Sequence, residues 1–330
     1  AALGELSRLC QADGEATRSL GLPVSGPPIG VFSLFRLPLG AFRPNDLMFV
    51  YEEGGRIAGL VRVERETSRD EWTIVELDGV GMIDAGDIRY RLVQQLLREG
   101  AKRGAARFHV ACADEHGNVE LFMQAGFIRY GEERILTRDP RHTLPKPWTE
   151  ARATDARIRP VQSADALALQ RLYTAVTPSP IVRLEALRLP DWERQGAHWR
   201  VPRSSLAPIL RFADVEAYVQ DAQSADKGDA ELDGFLQVGV AKEDQPHYLK
   251  VMARPGTDAA ALIEYGLGII AARGDRRYDH GVIAPVRTYE SPIDRRLEDA
   301  GFRSVAAVTL LMKETLVRVA APALVPAGVR

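Results

Sequence analysis

Two short stretches constrain this chain more than any other feature: LFMQAGF at 121–127 and LEDAGF at 297–302. Each ends a helix-like run on Ala-Gly-Phe and passes straight into an apolar, strand-like segment. Glycine just past a helix accepts the left-handed conformation that closes it, and the following Phe anchors the next strand. Counting back, Gly59 to Gly126 and Gly234 to Gly301 are both separated by 67 residues. Equal spacing between equivalent punctuation marks is the signature of a duplicated unit.

The flanking patterns repeat in the same order. In the N-terminal half, RIAGLVRVER (56–65) and EWTIVELDGVG (71–81) read as strands, the first alternating as a half-buried strand does. The helix at 87–104 sets Ile88, Leu92, Val93 and Leu96 on one stripe. A strand (107–113), a helix (117–126) and a strand (127–136) complete the unit. In the C-terminal half the order returns as strands at 234–241 and 247–253, a helix at 258–274, a strand at 279–286, a helix at 291–301 and a strand at 302–313. Four prolines among scattered charges interrupt every period between 139 and 160, which marks a linker. The expected organisation is an N-terminal domain over 1–138, a linker over 139–156, a C-terminal domain over 157–316 and a tail over 317–330.

Composition narrows the function classes. The 330 residues carry 43 Lys and Arg against 45 Asp and Glu, a net charge of −2, so no strong field gathers nucleic acid or an anionic membrane. No apolar run approaches a membrane span. The start, AALGELSRLCQADGEA, has neither a basic leader nor a long apolar segment, so a cytoplasmic protein is the expectation. Cys10 and Cys112 make no disulfide framework. His109, Cys112, Asp114 and His116 lie close in sequence, but His109 and Cys112 are an odd number of positions apart on a strand and face opposite ways, so no metal site is expected. The arginine-rich segment 187–205, with Trp192 and Trp199, reads as the wall of an acceptor pocket or an anion-binding stretch on one hand, or as a packed surface loop or a subunit contact on the other.

The order strand, strand, helix, strand, helix ending in AGF, strand resembles the GNAT superfamily of acyl-CoA-dependent N-acetyltransferases, seen here in tandem. RIRPVQSADALALQRLY (157–173) is similar to the first strand and helix of such domains. The resemblance implies an α/β (α+β type) protein of two GNAT-like domains, each a mixed central sheet flanked by helices. It also implies acetyl-CoA or another acyl-CoA as cofactor. In that family a strand leads through a Gly-rich turn into a helix whose free N–H groups hold the pyrophosphate. The corresponding stretch of the second copy is RPGTDAAALI (254–263), which makes Val251, Ala253, Arg254, Gly256, Thr257, Asp258 and Ala259 the cofactor-binding candidates. The first copy's DAGDIRYRLV (84–93) keeps Gly86 but has Asp87 and Arg89 where glycines are usual, leaving Gly86, Asp87, Ile88 and the helix residue Asn118 as weaker candidates. Both helices are expected to open on an aspartate, which caps a helix well and competes with phosphate for the same amides.

The tyrosine that many members use as a general acid is replaced by Phe122 and Leu297. Glu76 and Asp78 in the first copy and His247 and Tyr248 in the second are the candidates for general base. Two readings stay open: an N-acetyltransferase acting on a small-molecule or peptide amine with its cofactor in the second copy, or a catalytically inactive GNAT-like scaffold. The oligomeric state, including a homo-oligomer, is open as well.

Overall fold

The computed structural model describes residues 46–315 with Leu20 and Leu22, except for 67–68, 80–84, 116, 194–201, 211, 213–214, 224–230, 242–244 and 275–280. Cys10, Asp84, His116, Trp199 and the tail 317–330 therefore lie outside the described residues. The N-terminal half comprises β1 (Asp46–Glu53), β2 (Arg56–Glu66), β3 (Glu71–Gly79), α1 (Ala85–Lys102), β4 (Arg107–Cys112), α2 (Asn118–Gln124) and β5 (Ile128–Arg138). The linker contains α3 (Glu150–Asp155), capped by the Thr149 hydroxyl. The C-terminal half comprises β6 (Ile158–Pro160), α4 (Ala166–Val176), α5 (Ser179–Glu185), α6 (Leu189–Glu193), β7 (Val215–Asp221), β8 (Leu232–Gly239), β9 (His247–Ala253), α7 (Ala259–Arg273), β10 (Val282–Arg287), α8 (Ser291–Asp299) and β11 (Phe302–Glu314).

The repeated glycines occupy equivalent places. Gly126 and Gly301 have φ of +87° and +88°, the left-handed turn that only glycine takes without strain. Gly59 on β2 and Gly234 on β8 are each pressed by the helix that follows, Gly59 by Ile88 and Leu92 of α1 and Gly234 by Leu262 of α7. The stripe Ile88, Leu92, Val93 and Leu96 is buried against β2 and β3 in a first core. α7 buries Leu262, Ile263, Leu267 and Ile270 in a second core, and α4 packs with α6, Phe235 and Met252 in a third. Trp192 belongs to that third core, 1% exposed, so the described start of the insertion, through α6, is packed inward.

Each half contributes mixed strands flanked by helices, and the two sets join into one sheet in the order β1-β2-β3-β4-β11-β5-β10-β9-β8-β7-β6. The joint is an exchange. β4 is bordered by β11, the last strand of the other half, over the register Thr309↔Cys112 to Glu314↔Arg107. β10 is bordered by β5, the last strand of the first half, from Val282↔Arg138 to Arg287↔Glu133. β5 and β11 pair with each other at the centre. Neither half's sheet is complete without a strand from the other.

Buried charges pin the same seam. Arg287 Nε lies 3.0 Å from Glu133 Oε2 and its Nη2 lies 2.9 Å from Glu185 Oε1, all three side chains being 3% exposed or less. Arg203 reaches Glu71, which also holds Arg69 at 3.0 Å. Such pairs add little net stability but are costly to break, because each orphaned charge remains buried.

Candidate functional site

In both halves one parallel strand pair forms and then parts. β3 and β4 pair from Glu71↔Arg107 to Ile74↔Val110 only. β9 and β10 pair at His247↔Val282 and Tyr248↔Ile283 only. Beyond the second fork a cleft of about 380 Å³ opens between the ends of β9 and β10. Its walls are Ala253 to Ala259 at the start of α7, Tyr289, Glu290, Pro292, Ile293 and Arg296 at the start of α8, and Ala175 and Val176 at the end of α4. The volume is that of a small-ligand site.

Arg254, Gly256, Thr257 and Asp258 lie together around the turn that enters α7. Gly256 has φ of +92° and nothing within 4 Å of where a Cβ would stand, so its backbone faces open space. Three donors of the turn are occupied. Thr257 N–H donates to Arg254 O at 3.0 Å, Ala259 N–H to Thr257 O at 3.0 Å, and Ala260 N–H to the Asp258 carboxylate at 3.2 Å. Asp258 is thus the N-cap of α7. The Arg254 side chain turns back onto β8, donating from Nε to Leu232 O at 2.9 Å. Val251 is buried in the second core under α7, and Ala253 lines the cleft.

The first half's candidates are arranged differently. Helix α1 starts at Ala85, which puts Asp87 inside the first turn instead of at its cap; its carboxylate pairs with Arg91 at 2.7 Å, both side chains being more than half exposed. Gly86 has open space around it, while Ile88 is buried against Gly59. Asn118, fully buried, accepts from Arg89 and donates to Ala113 O at 3.5 Å. Burial lowers the Arg89 pKa, with Asp78 opposing. Ala113 N–H, at the end of β4, donates to Leu20 O at 2.6 Å, and both Leu20 and Leu22 are buried there.

The candidate bases sit away from the cleft or are engaged. Glu76 pairs with its cross-strand neighbour Arg62 at 2.7 Å. Asp78 accepts the N–H of Gly79 at 2.8 Å. His247 stands at the opposite end of β9 from the cleft, its Nδ1 accepting the Ala241 N–H at 3.0 Å. Tyr248 is fully buried in the first core, and burial pushes its hydroxyl pKa up. Phe122 and Leu297, at the family's tyrosine positions, are core residues.

Three residues at the second fork were passed over in the sequence. Lys250, in the middle of the apolar strand HYLKVMA, is 1% exposed and donates to Glu290 Oε2 at 2.9 Å and to Pro285 O at 3.3 Å. Glu290 also accepts the Arg287 N–H at 2.8 Å. Tyr289 lines the cleft, and burial holds its hydroxyl protonated well above the usual range. A lysine inside an apolar strand, in a chain with only six lysines, was the available signal.

Cys112 is buried in the first core and His109 on the other face of β4; burial pushes the Cys112 thiol up to about 12. Among the described residues no group of three or more His, Cys, Asp or Glu is placed to hold a metal ion, and no helix is long and apolar enough to cross a membrane.

The acyl-CoA implied by the resemblance fits the second cleft in part. Ala253, Gly256 and Ala259 leave room for an extended arm, and Arg254 and Arg296 bring positive charge to the walls. The phosphate cradle is the weaker element, because three of its amides already donate within the turn.

No protein-family model matches the chain, and no curated protein matches it. Solved structures do. The chain is similar to a tandem GNAT protein from the clavulanic acid biosynthesis pathway at a TM-score of 0.50 and 14% identity, over 95% of this chain and 94% of that one. It is similar to a GCN5-related N-acetyltransferase from Sphaerobacter thermophilus at a TM-score of 0.53 and 16% identity, over 94% and 91%. At these identities the likeness establishes the fold: this is the tandem GNAT architecture over nearly the whole chain.

Proposed function

We propose that the protein transfers an acyl group, acetyl in the simplest case, from an acyl-CoA thioester to an amine, with the cofactor held by the C-terminal half. One observation carries the reading: β9 and β10 part after two register pairs and leave a cleft of about 380 Å³ at the N-terminus of α7. The fold neighbours, an N-acetyltransferase and a tandem GNAT protein by their descriptions, support it. When bound, the cofactor supplies a thioester carbon as electrophile. Val251 and Ala253 would hold it along β9, and Arg254, Gly256, Thr257, Asp258 and Ala259 would hold its phosphate end. Glu290, at the cleft wall, would accept a proton from the incoming amine, and Tyr289 beside it would hold one at Oη for release to the thiol. Most of the rate comes from holding the amine beside the carbonyl carbon. In the first half Gly86, Asp87, Ile88 and Asn118 do not form a second cofactor site, because Ile88 and Asn118 are committed to the interior.

The acceptor class is a small-molecule or peptide amine, reached through the cleft mouth. The inactive-scaffold reading is favoured by one specific feature, the Asp258 cap on the amides a phosphate needs. Titrating acetyl-CoA into the intact chain by calorimetry separates the two. One molecule should bind per chain. Because Asp258 is exposed, its repulsion is screened to about 1 kcal/mol, so Asp258→Asn should tighten binding by up to about fivefold. Absence of heat at millimolar ligand would favour the scaffold.

A further inference from the structure

The ladder between β9 and β10 ends at Tyr248↔Ile283. Continued by two residues, its register sets Lys250 opposite Pro285, and the side chain of Lys250 spans that gap: Nζ reaches Pro285 O at 3.3 Å where backbone pairing has stopped. A lysine that is 1% exposed sits, therefore, at the closed end of the fork whose open end is the cleft. Its other partner, the Glu290 carboxylate at 2.9 Å, lines the cleft directly. A buried amine thus stands in hydrogen-bond contact with a carboxylate whose residue belongs to the cleft wall.

We infer that Lys250 is itself an acyl acceptor, modified by an acyl thioester seated in this cleft. The inference rests on the reading proposed above and extends it by naming a substrate within the chain. Glu290 takes one proton from the Lys250 ammonium. The neutral Nζ attacks the thioester carbonyl carbon, a C–N bond forms and the C–S bond breaks. The second proton passes from nitrogen to the departing sulfur, leaving an amide on Lys250, a free thiol and a protonated Glu290. No net charge is created in the buried site, because the cation and its carboxylate are neutralised together. That balance is what permits the step in a low-dielectric interior.

Burial makes the test selective. Lys102 is 71% exposed and Lys146 is exposed, so a reagent arriving from solvent modifies these first. A ligand seated in the fork inverts the order. The intact protein is incubated with acetyl-CoA, digested and analysed by mass spectrometry, with an amine-acetylating reagent that needs no binding site as control. The expected result is acetylation of Lys250 ahead of Lys102 and Lys146 with acetyl-CoA, the reverse order with the reagent, and protection of Lys250 by excess free CoA. Glu290→Gln should slow Lys250 labelling about a hundredfold or more, the usual loss with a general base. Calorimetry on the same samples separates the failures. Binding of acetyl-CoA with Lys250 unmodified would overturn this inference and leave the proposed function standing. Labelling that follows exposure would likewise overturn this inference alone, and absence of binding would overturn both.

Discussion

Lowering the pH from 8 to 5 costs this protein stability through His109. The imidazole is 3% exposed on β4, beside Tyr130 and 3.4 Å from Glu71. Burial, reinforced by the nearby Arg203 guanidinium, lowers its pKa from 6.5 to about 4, against the pull of Glu71 and Glu185 in the other direction. The unfolded chain therefore takes up a proton near pH 6.5 that the folded chain refuses until about pH 4. Stability is full above the unfolded value and falls through the window between the two. At pH 5 the unfolded state is nearly saturated and the folded state about one-tenth protonated, which amounts to about 2 kcal/mol. Glu71 enters lower down. Burial raises its carboxyl, but Arg203, His109 and Arg69 outweigh burial and hold it well below the usual 4.5, so its contribution is lost only as pH falls beneath that value. Urea unfolding at pH 8 and pH 5 gives the difference directly. The native protein should lose about 2 kcal/mol more than His109→Gln over this interval. Parallel losses in the two proteins would show that His109 is not held neutral in the folded state.

Other outcomes follow from the seam and the repeat. Gly59→Ala and Gly234→Ala each push a Cβ into the helix packed on that strand and should cost a similar 1–3 kcal/mol, about the usual price of overpacking; a large asymmetry would contradict the equivalence of the halves. Arg287→Met leaves Glu133 and Glu185 buried without their cation and should cost about 3–5 kcal/mol in urea unfolding, whereas a loss under about 1 kcal/mol would show the pairs to be dispensable. Proteolytic cleavage in the exposed stretch at 141–143 should leave the two pieces together on gel filtration, because β11 lies against β4 and β5 against β10; separation under native conditions would refute the strand exchange.

Local chemistry made much of this fold legible. Gly126 and Gly301 announced two helix ends that the structure closes in the left-handed region, and the stripe from Ile88 to Leu96 named a core face that is buried in full. The strand exchange was hidden because pairing partners such as Thr309 and Cys112 are distant in sequence and leave no mark in periodicity. The two aspartates looked alike as letters and differ in place: Asp258 caps α7, while Asp87 lies within the first turn of α1 and pairs with Arg91 instead. His247 looked like a site residue from its chemistry alone, and its position at the far end of β9 comes from strand direction. Lys250, Tyr289 and Glu290 converge only once β9 and β10 are seen to part, a three-dimensional fact that no spacing encodes.

The central claim, that one acyl-CoA lies in the fork of the C-terminal half, is tested most directly by a crystal structure of the intact chain grown with acetyl-CoA. Density is expected for one cofactor running from Gly256 and Thr257 along Ala253 toward Glu290, with Asn118 still accepting from Arg89 in the first half. Density confined to the first half, or a second fork unchanged at saturating ligand, would contradict it.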